Sequence, residues 1–556
     1  MPGPATTAPA IVVLGASALE TARRIQRLYP EAQVHGLRGR TTEVDTTYEN
    51  FGEHLRDLYR ANTPIIALCA AGIVIRSLAP VLGDKGNEPS VLVIAEDGSA
   101  VVPLLGGLAG VNRMAREIAT VLEVSPAITT SGELRFGACL LSPPPGYVLA
   151  DLDQGKRFVS DLLAGAPVRV EGPAPWLDEL KLPLDPNAKH RVTVSPLRQD
   201  EDSTLSIHPR QVSIHVERGG PELAAELQQL IDASGFSPRS LACLIAPLDL
   251  MTNAELQQVA SQLDLPIRFS DDIEQLPPQH NRSQRARLLL ADEPIDIEKI
   301  GQPRGSLTVI GLGPGAPEFM VPAARRALDD AQDLLGYETY IRMAGPLRPG
   351  QISHSSDNRE ELQRAGHAFE LAASGRRVVV ISSGDPGVFA MAAAVLEALH
   401  ASRDPRWHAV DLQILPGVSA ALATAARAGA PLGHDFCMLS LSDNLKPWAM
   451  IEKRLEHAAA ADLVMAFYNP ISKARPWQLG RALEIIRQQR SPETLVVLGR
   501  DVGRPAEALT VTTLGELVPE QVDMRTLVII GSSQTCRFAK PGGGDWVYTP
   551  RSYPAS

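Results

Sequence analysis

At 556 residues the chain is too long for one hydrophobic core and calls for three or four domains. Its apolar fraction, 44%, is ordinary for a globular protein, and a net charge of -11 argues against a dedicated nucleic-acid binder. The five cysteines, at 69, 139, 243, 437 and 536, have neither metal-ligand nor redox spacing and make a poor disulfide framework, so a reducing, cytoplasmic setting is expected.

Residues 1–9, rich in Pro, Ala and Thr, read as a flexible start with no basic n-region, so no signal peptide is expected. Apolar runs are broken by Gly, Pro or charge before about 18 residues, so no membrane span is expected either. Strand-like runs at 10–14, 64–69, 91–96 and 101–105 alternate with helical spacing at 18–29 and 114–124. That alternation predicts an α/β domain over 10–170 with a parallel or mostly parallel sheet. Proline-spaced residues 171–189 read as a linker. A smaller α/β unit follows over 190–275, with strands at 212–217 and 241–249 and helices at 221–235 and 253–264, the second capped by Asn253. Residues 276–304 read as a second linker, in which 286–293 suits either a helical turn or a strand.

The third unit divides into 305–425 and 426–540, leaving 541–556 as a Gly-Pro-rich flexible tail. It opens on GSLTVIGLGPG (305–315), a strand running into Gly311, Gly313, Pro314 and Gly315. Such a turn lets a ligand approach bare backbone, and a following helix offers free N–H groups to an anion. The sixth place of a dinucleotide fingerprint is filled by Ala316, which weakens a nicotinamide reading, and a tight turn with no ligand also fits. Three companions strengthen the site. In SSGDPGVFAMA (382–392), Asp385 follows Gly384 at a strand end, where a carboxylate bonds a ribose hydroxyl, an amide or an amino group, or simply makes an Asx turn. In LPGVSA (415–420), Gly417 allows close approach and Ser419 suits a helix cap. AFYNP (466–470) puts polar aromatics at another strand end, followed by Ser472 and Arg475. Four such strand ends outline a ligand crevice along a sheet edge.

The ordered set GLGPG, GYETY, SGDPGVF, LPGVSA, GHDFCMLSLSD, FYNP, LGRD and TTLGEL resembles the tetrapyrrole (corrin) methyltransferase family over about 306–538. The resemblance implies a homodimer of two-domain α/β subunits, with S-adenosylmethionine folded into a trough and an anionic tetrapyrrole above it. By position, Gly311, Gly313, Pro314 and Gly315 would form the first loop. Gly384, Asp385, Val388 and Phe389 would contact the cofactor, with Ser419 and Ala420 beside it. Phe467 and Asn469 would meet it from the second half, and Thr512 and Thr513 would complete the adenine side. The implied reaction is methylation of precorrin-3B at C17 coupled to contraction of the macrocycle, in cobalamin biosynthesis. The C20 hydroxyl proton then needs an acceptor, and the candidates are His434, Asp443 and Tyr468. Lys446, Arg475 and Arg500 are candidates for binding the substrate carboxylates, because Arg offers a planar donor fork. No cluster suggests a metal held by the protein.

In the first half, Cys69 and Gly72 follow a strand and open a helix, with Arg76 and Lys85 nearby, while Asn112 and Arg113 open another helix suited to an anion. The stretch 67–119 resembles the CbiG family of cobalamin biosynthesis, with Gly72, Arg76, Pro80, Lys85, Leu104, Leu105 and Asn112 in its pattern. It departs at Leu108, where that family has histidine, and at Val111, where it has alanine. Residues 190–275 resemble the same family's C-terminal domain in diverged form: HVERGG (215–220) and DLMTN (249–253) replace its signatures. Leucine cannot move a proton, so tetrapyrrole binding or a scaffold role is expected here. The alternatives are a bifunctional enzyme that also opens a cobalt-precorrin-5A lactone, a methyltransferase for cobalt-factor III, and a noncatalytic tetrapyrrole carrier.

Overall fold

A computed structural model describes residues 8–83, 88–199, 204–272, 277–345, 347–348, 350–356, 360–472, 475–541 and 543–553. The chain divides into two compact units that join in sequence at Arg304 and Gly305.

Among the described residues the first unit contains three sheets. The first has the strand order Thr46–Tyr48, Gln33–Leu37, Ala10–Val13, Ile65–Leu68, Val91–Ile94, Val101–Leu105. Every pairing is parallel except the last. The near-continuous Val/Ile/Leu runs are the reason: helices cover both faces, so both side-chain sets must be apolar. Helix Leu19–Leu28 and helix Val111–Leu122 bury Ile25 and Ile118 on one face, and helix Phe51–Arg60 and helix Ala71–Leu78 bury Leu55 and Val74 on the other.

The second sheet, ordered Tyr147–Leu149, Thr204–Pro209, His190–Val194, Val168–Glu171, corrects the expected domain limits. Its strands come from both sides of residues 171–189, and Ala174, Leu177 and Leu182 of that expected linker are buried with Phe136 and Phe158. Proline spacing there marks short turns inside a core, not an exposed connection. The third sheet is ordered Ile267–Phe269, Leu241–Ala246, Val212–Val216, Ala286–Leu290, Gln279–Arg282. Residues 276–304, expected as a linker, thus supply its last two strands. Gln279–Arg282 is polar because it is an edge strand, which removed the apolar signal. Asn253 caps helix Ala254–Leu263, its side chain accepting from the Leu256 amide at 2.8 Å.

The second unit opens with five strands, all parallel, in the order Ile352–Ser356, Asp333–Tyr337, Arg377–Ser382, Ser306–Gly311, Asp411–Leu415. Helix Glu361–Ala373 and helix Met391–Ala401 close one face through Phe369 and Val395, and helix Pro322–Asp330 covers part of the other through Leu328. A mixed sheet follows: Phe436–Ser440, Val464–Tyr468, Thr526–Ile530, Leu495–Arg500, Ala508–Thr513. Residues 541–556, expected to be a flexible tail, instead include strand Asp545–Tyr548, which pairs with Cys536–Ala539 and with Gly429–Ala430 at the connection between the two halves. Val547 is fully buried there, so one apolar residue in a glycine-rich stretch anchors the end of the chain. Among the described residues no helix is long and apolar enough to cross a membrane, and no group of three His, Cys, Asp or Glu is placed to hold a metal.

Candidate functional site

Parallel strands end at a common edge, so the loops after Ser306–Gly311, Arg377–Ser382 and Asp411–Leu415 converge there. Their glycines make the convergence close. Gly313 and Gly384 exchange backbone hydrogen bonds of 3.2 and 2.8 Å. A Cβ on Gly311 or on Gly417 would lie 2.2 Å from the Gly384 carbonyl oxygen, so neither position tolerates a side chain without backbone movement. Gly313 and Gly384 have φ of 73° and 68°, the left-handed region that suits glycine. Asp385 staples the loops: Oδ1 accepts from the Gly387 amide at 2.8 Å and Oδ2 from the Gly417 amide at 2.9 Å. Ser419 is buried and caps helix Ala420–Ala428, its hydroxyl accepting from the Leu422 amide at 3.3 Å.

The second half closes on these loops. Arg504 Nε donates to the Pro314 carbonyl at 3.1 Å, and the Tyr468 hydroxyl accepts from the Ala421 amide at 3.0 Å. The Tyr468 ring lies against Phe389, with centroids 5.3 Å apart. Phe389 is 52% exposed and sits at φ 54°, so a large apolar ring is held open to solvent by an unusual backbone. The Lys446 ammonium is 6.0 Å from the Phe389 centroid, and burial, then the nearby Arg454 charge, lowers its pKa below the usual lysine range. Asn469, at φ 50°, donates from Nδ2 to Ser440 Oγ at 3.1 Å.

These contacts sort the expected site residues. Of these, Gly311, Gly313, Pro314, Gly384, Asp385, Gly417 and Ser419 are joined by contacts around one crevice, Phe389, Lys446 and Tyr468 are in contact beside it, and the structure adds Ala421, which was not expected. Val388 and Ala420 are partly buried in the same loops. Three expectations are corrected. His434 precedes strand Phe436–Ser440, whereas Asp443 lies past the carboxyl end of that strand and Tyr468 is the last residue of the parallel strand beside it. Ser440 stands opposite Tyr468, and the six positions from His434 to Ser440 at about 3.3 Å each put His434 roughly 20 Å away, so it cannot act with them. Its Nδ1 accepts from the Asp435 amide at 2.7 Å, and its ring meets Tyr553. The Phe467 side chain is fully buried among Leu441, Met465 and Val528, because alternation along the strand turns it inward. Arg500 is committed to Asp523 at 2.9 Å and to Asp501 at 3.2 Å, which raises its pKa and removes it as a free carboxylate receptor.

Asp443 and Arg475 are paired at 3.4 Å, and Arg475 also donates to Ser442 at 2.9 Å and to Asn444. The pair therefore braces the 442–444 loop instead of offering either charge freely. Thr512 Oγ1 donates to Glu516 at 3.3 Å, and Thr513 Oγ1 accepts from the Glu516 amide at 3.4 Å, so both hydroxyls serve a local turn. Arg504 escaped the sequence reading: it follows Gly503 in a loop with no apolar pattern, and only tertiary contact with Pro314 reveals it.

In the first unit the two expected anion-binding helix starts lie at opposite sheet edges. Helix Ala71–Leu78 follows the carboxyl end of Ile65–Leu68. Helix Val111–Leu122 follows the end of Val101–Leu105, which runs antiparallel to its neighbour. Asn112 is buried and donates to Glu133 at 2.6 Å and to Thr130 at 3.1 Å, while Arg116 pairs with the same carboxylate at 2.5 Å. That network is internal support. Cys69 is buried, which raises its thiol to about 11, and it is no nucleophile at neutral pH. Lys85 lies outside the described residues.

Two family models match the chain: tetrapyrrole (corrin/porphyrin) methylases over residues 306–518, and the cobalamin synthesis G N-terminal family over residues 53–133. A precorrin-3B C(17)-methyltransferase of Sinorhizobium is 53% identical over 250 residues, 45% of this chain and 97% of its own. A cobalamin biosynthesis protein CobIJ of Mycobacterium tuberculosis is 49% identical over 254 residues, 45% of this chain and 49% of its own length. A solved structure described as the methyltransferase CobJ is 52% identical, covers 44% of this chain and 100% of its own, and has a TM-score of 0.42. The chain belongs to the tetrapyrrole (corrin/porphyrin) methylases, with a cobalamin synthesis G N-terminal domain fused ahead of the methylase.

Proposed function

We propose that the second unit methylates precorrin-3B at C17 with S-adenosylmethionine and contracts the macrocycle. The observation that carries this reading is the glycine-lined crevice beside a half-exposed Phe389 and a cationic Lys446. Its chemistry suits the cofactor: Gly313, Gly384 and Gly387 present backbone without side chains, so a nucleoside with an amino-acid arm can lie against amides and carbonyls. The cofactor supplies an electrophilic methyl group when bound. Asp385 and Ser419 fix the loops around it, and Phe389 and Tyr468 form an apolar wall that excludes water.

Lys446 is suited to an anionic macrocycle, since its partly buried ammonium stands over an aromatic face. Holding the substrate carbon in line with the methyl group supplies much of the rate. Of the three groups considered for the C20 hydroxyl proton, His434 is on the wrong edge, Asp443 is held by Arg475 and the Tyr468 hydroxyl already accepts from the Ala421 amide. For the first unit, tetrapyrrole binding or a scaffold role remains the preferred reading over lactone opening, because Leu108 has no proton to move. Dimerisation through the second unit belongs to the same proposal.

The test is incubation of the purified chain with S-adenosylmethionine and either precorrin-3B or its cobalt-containing counterpart, reading product mass and spectrum. A mass gain of one methyl group on the metal-free substrate, with the spectrum of a contracted ring, supports the reading. Turnover of the cobalt substrate alone moves the activity to the cobalt-factor III branch, to which a Priestia megaterium relative of 40% identity belongs by name. No turnover of either substrate overturns it.

A further inference from the structure

Tyr468 stands at the meeting of three elements, and its hydroxyl faces a backbone amide of the opposite half. Helix Ala420–Ala428 starts at Ser419, and the first amides of a helix have no partner within it. Ser419 takes the Leu422 amide from within the loop, and Tyr468 takes the Ala421 amide from strand Val464–Tyr468 of the other half. The same side chain packs its ring on Phe389, at the far end of the Asp385 loop. Asp385 in turn bonds Gly417, four residues before Ala421. Tyr468 therefore touches both loops that the Asp385 carboxylate joins. Its own orientation is pinned by the next residue, Asn469, which is left-handed and anchored on Ser440.

We propose that Tyr468 is a positioning residue for methyl transfer: its hydroxyl and ring hold the 385–389 and 417–421 loops in the geometry that the cofactor requires. This role rests on the methyltransferase reading above. It assigns the hydroxyl to a structural acceptor and not to the group that takes the substrate proton. The strut acts across the crevice from the last residue of its strand, where the partly buried Tyr468 ring also packs against the cluster of Ala421, Ala425, Val464 and Ala466, so only loss of the hydroxyl alone leaves the core untouched.

The test is Tyr468→Phe, which deletes one oxygen and keeps the ring, alongside Tyr468→Leu, which removes both contacts. Three readouts are taken on the full chain: hydrogen exchange of the 416–423 segment, S-adenosylmethionine affinity by calorimetry, and the pH profile of kcat. Loss of one neutral hydrogen bond predicts faster exchange at Ala421 and about tenfold weaker cofactor binding for Tyr468→Phe. The pH profile should keep its shape, because no titrating group is lost from the reaction. Tyr468→Leu should weaken binding further and lower the unfolding temperature, because the ring also packs against the Ala421 and Val464 cluster, whereas Tyr468→Phe should unfold close to wild type. Cofactor affinity and exchange in Tyr468→Phe equal to wild type overturn the role, and so does a lost limb of the pH profile, which makes Tyr468 the proton acceptor. A wild-type chain that binds no S-adenosylmethionine sinks the methyltransferase reading and this role with it.

Discussion

Asp385 Oδ2 accepts a hydrogen bond from the Gly417 amide at 2.9 Å, joining two loops that lie 32 residues apart in sequence. Its other oxygen is held by the Gly387 amide in an Asx turn, so the carboxylate shapes the crevice before any ligand arrives. Asp385→Ala removes both bonds and leaves two amides without partners. Hydrogen bonds to a charged acceptor contribute about 1.5–3 kcal/mol each, so cofactor affinity should fall by about tenfold to a hundredfold. Calorimetry with S-adenosylmethionine checks this, and an unchanged dissociation constant removes Asp385 from the site.

The opposed placement of His434 predicts an indifferent mutant. His434 sits at the amino-terminal edge of its strand, against Tyr553, and its Nδ1 meets only its neighbour, accepting from the Asp435 amide at 2.7 Å and standing 3.7 Å from the Asp435 carboxylate. His434→Ala should keep kcat within about twofold of wild type, as a partly buried site away from the chemistry does. Steady-state kinetics at saturating substrate decides the matter; a loss of a hundredfold or more would restore His434 as a catalytic group.

The end of the chain should matter for stability. Val547 is fully buried and its strand pairs with Gly429, where a Cβ would stand 2.6 Å from the Val547 carbonyl oxygen. Thr549 adds a 2.6 Å bond to the Pro431 carbonyl. Val547→Asp puts a carboxylate into that seam, and removal of residues 541–556 deletes it. Each should destabilise the second unit by about 2–4 kcal/mol, read as a lower denaturant midpoint.

Acid should loosen the first unit through His35. His35 Nδ1 and His54 Nε2 are 3.0 Å apart, and burial, then the His54 charge, lowers His35 to about 4, with Asp45 opposing. Burial lowers His54 as well, opposed by Asp57. Both rings are neutral in the folded protein at pH 7, and the unfolded chain binds protons near its ordinary value of about 6.5. Between about 6.5 and 4 the unfolded state therefore holds more protons, so stability is complete above 6.5 and falls as pH drops toward 4. The His35 contribution to the loss is on the order of 3 kcal/mol. Thermal unfolding followed from pH 7 to pH 4.5 should show the slope, and His35→Gln should flatten it.

Much of the second unit was legible in the chain because its signals are local. GLGPG and SGDPG each pair a buried β-branched run with glycines at its end, LPGVSA follows a more exposed strand, and parallel strands bring all three ends to one edge. The residues lost to the sequence reading share one property: their partners are distant. Gln279–Arg282 is a polar edge strand that pairing alone defines, and Val547 is apolar in a stretch composed like a tail. The linker reading of 171–189 failed in the same way, since Leu177 and Leu182 become core only when strands from both sides close over them.

The sequence by itself determined the α/β alternation, the join near residue 305, the glycine loops and the family, because propensity, periodicity and turn chemistry act within a few residues. The tertiary structure alone decided which polar groups are committed: Asp385 to Gly417, Tyr468 to Ala421, Arg475 to the 442–444 loop, Arg500 to Asp523. The reason is geometric. A hydrogen bond acts over about 3 Å, and residues 23 to 47 positions apart reach that distance only after the sheets set strand order and direction.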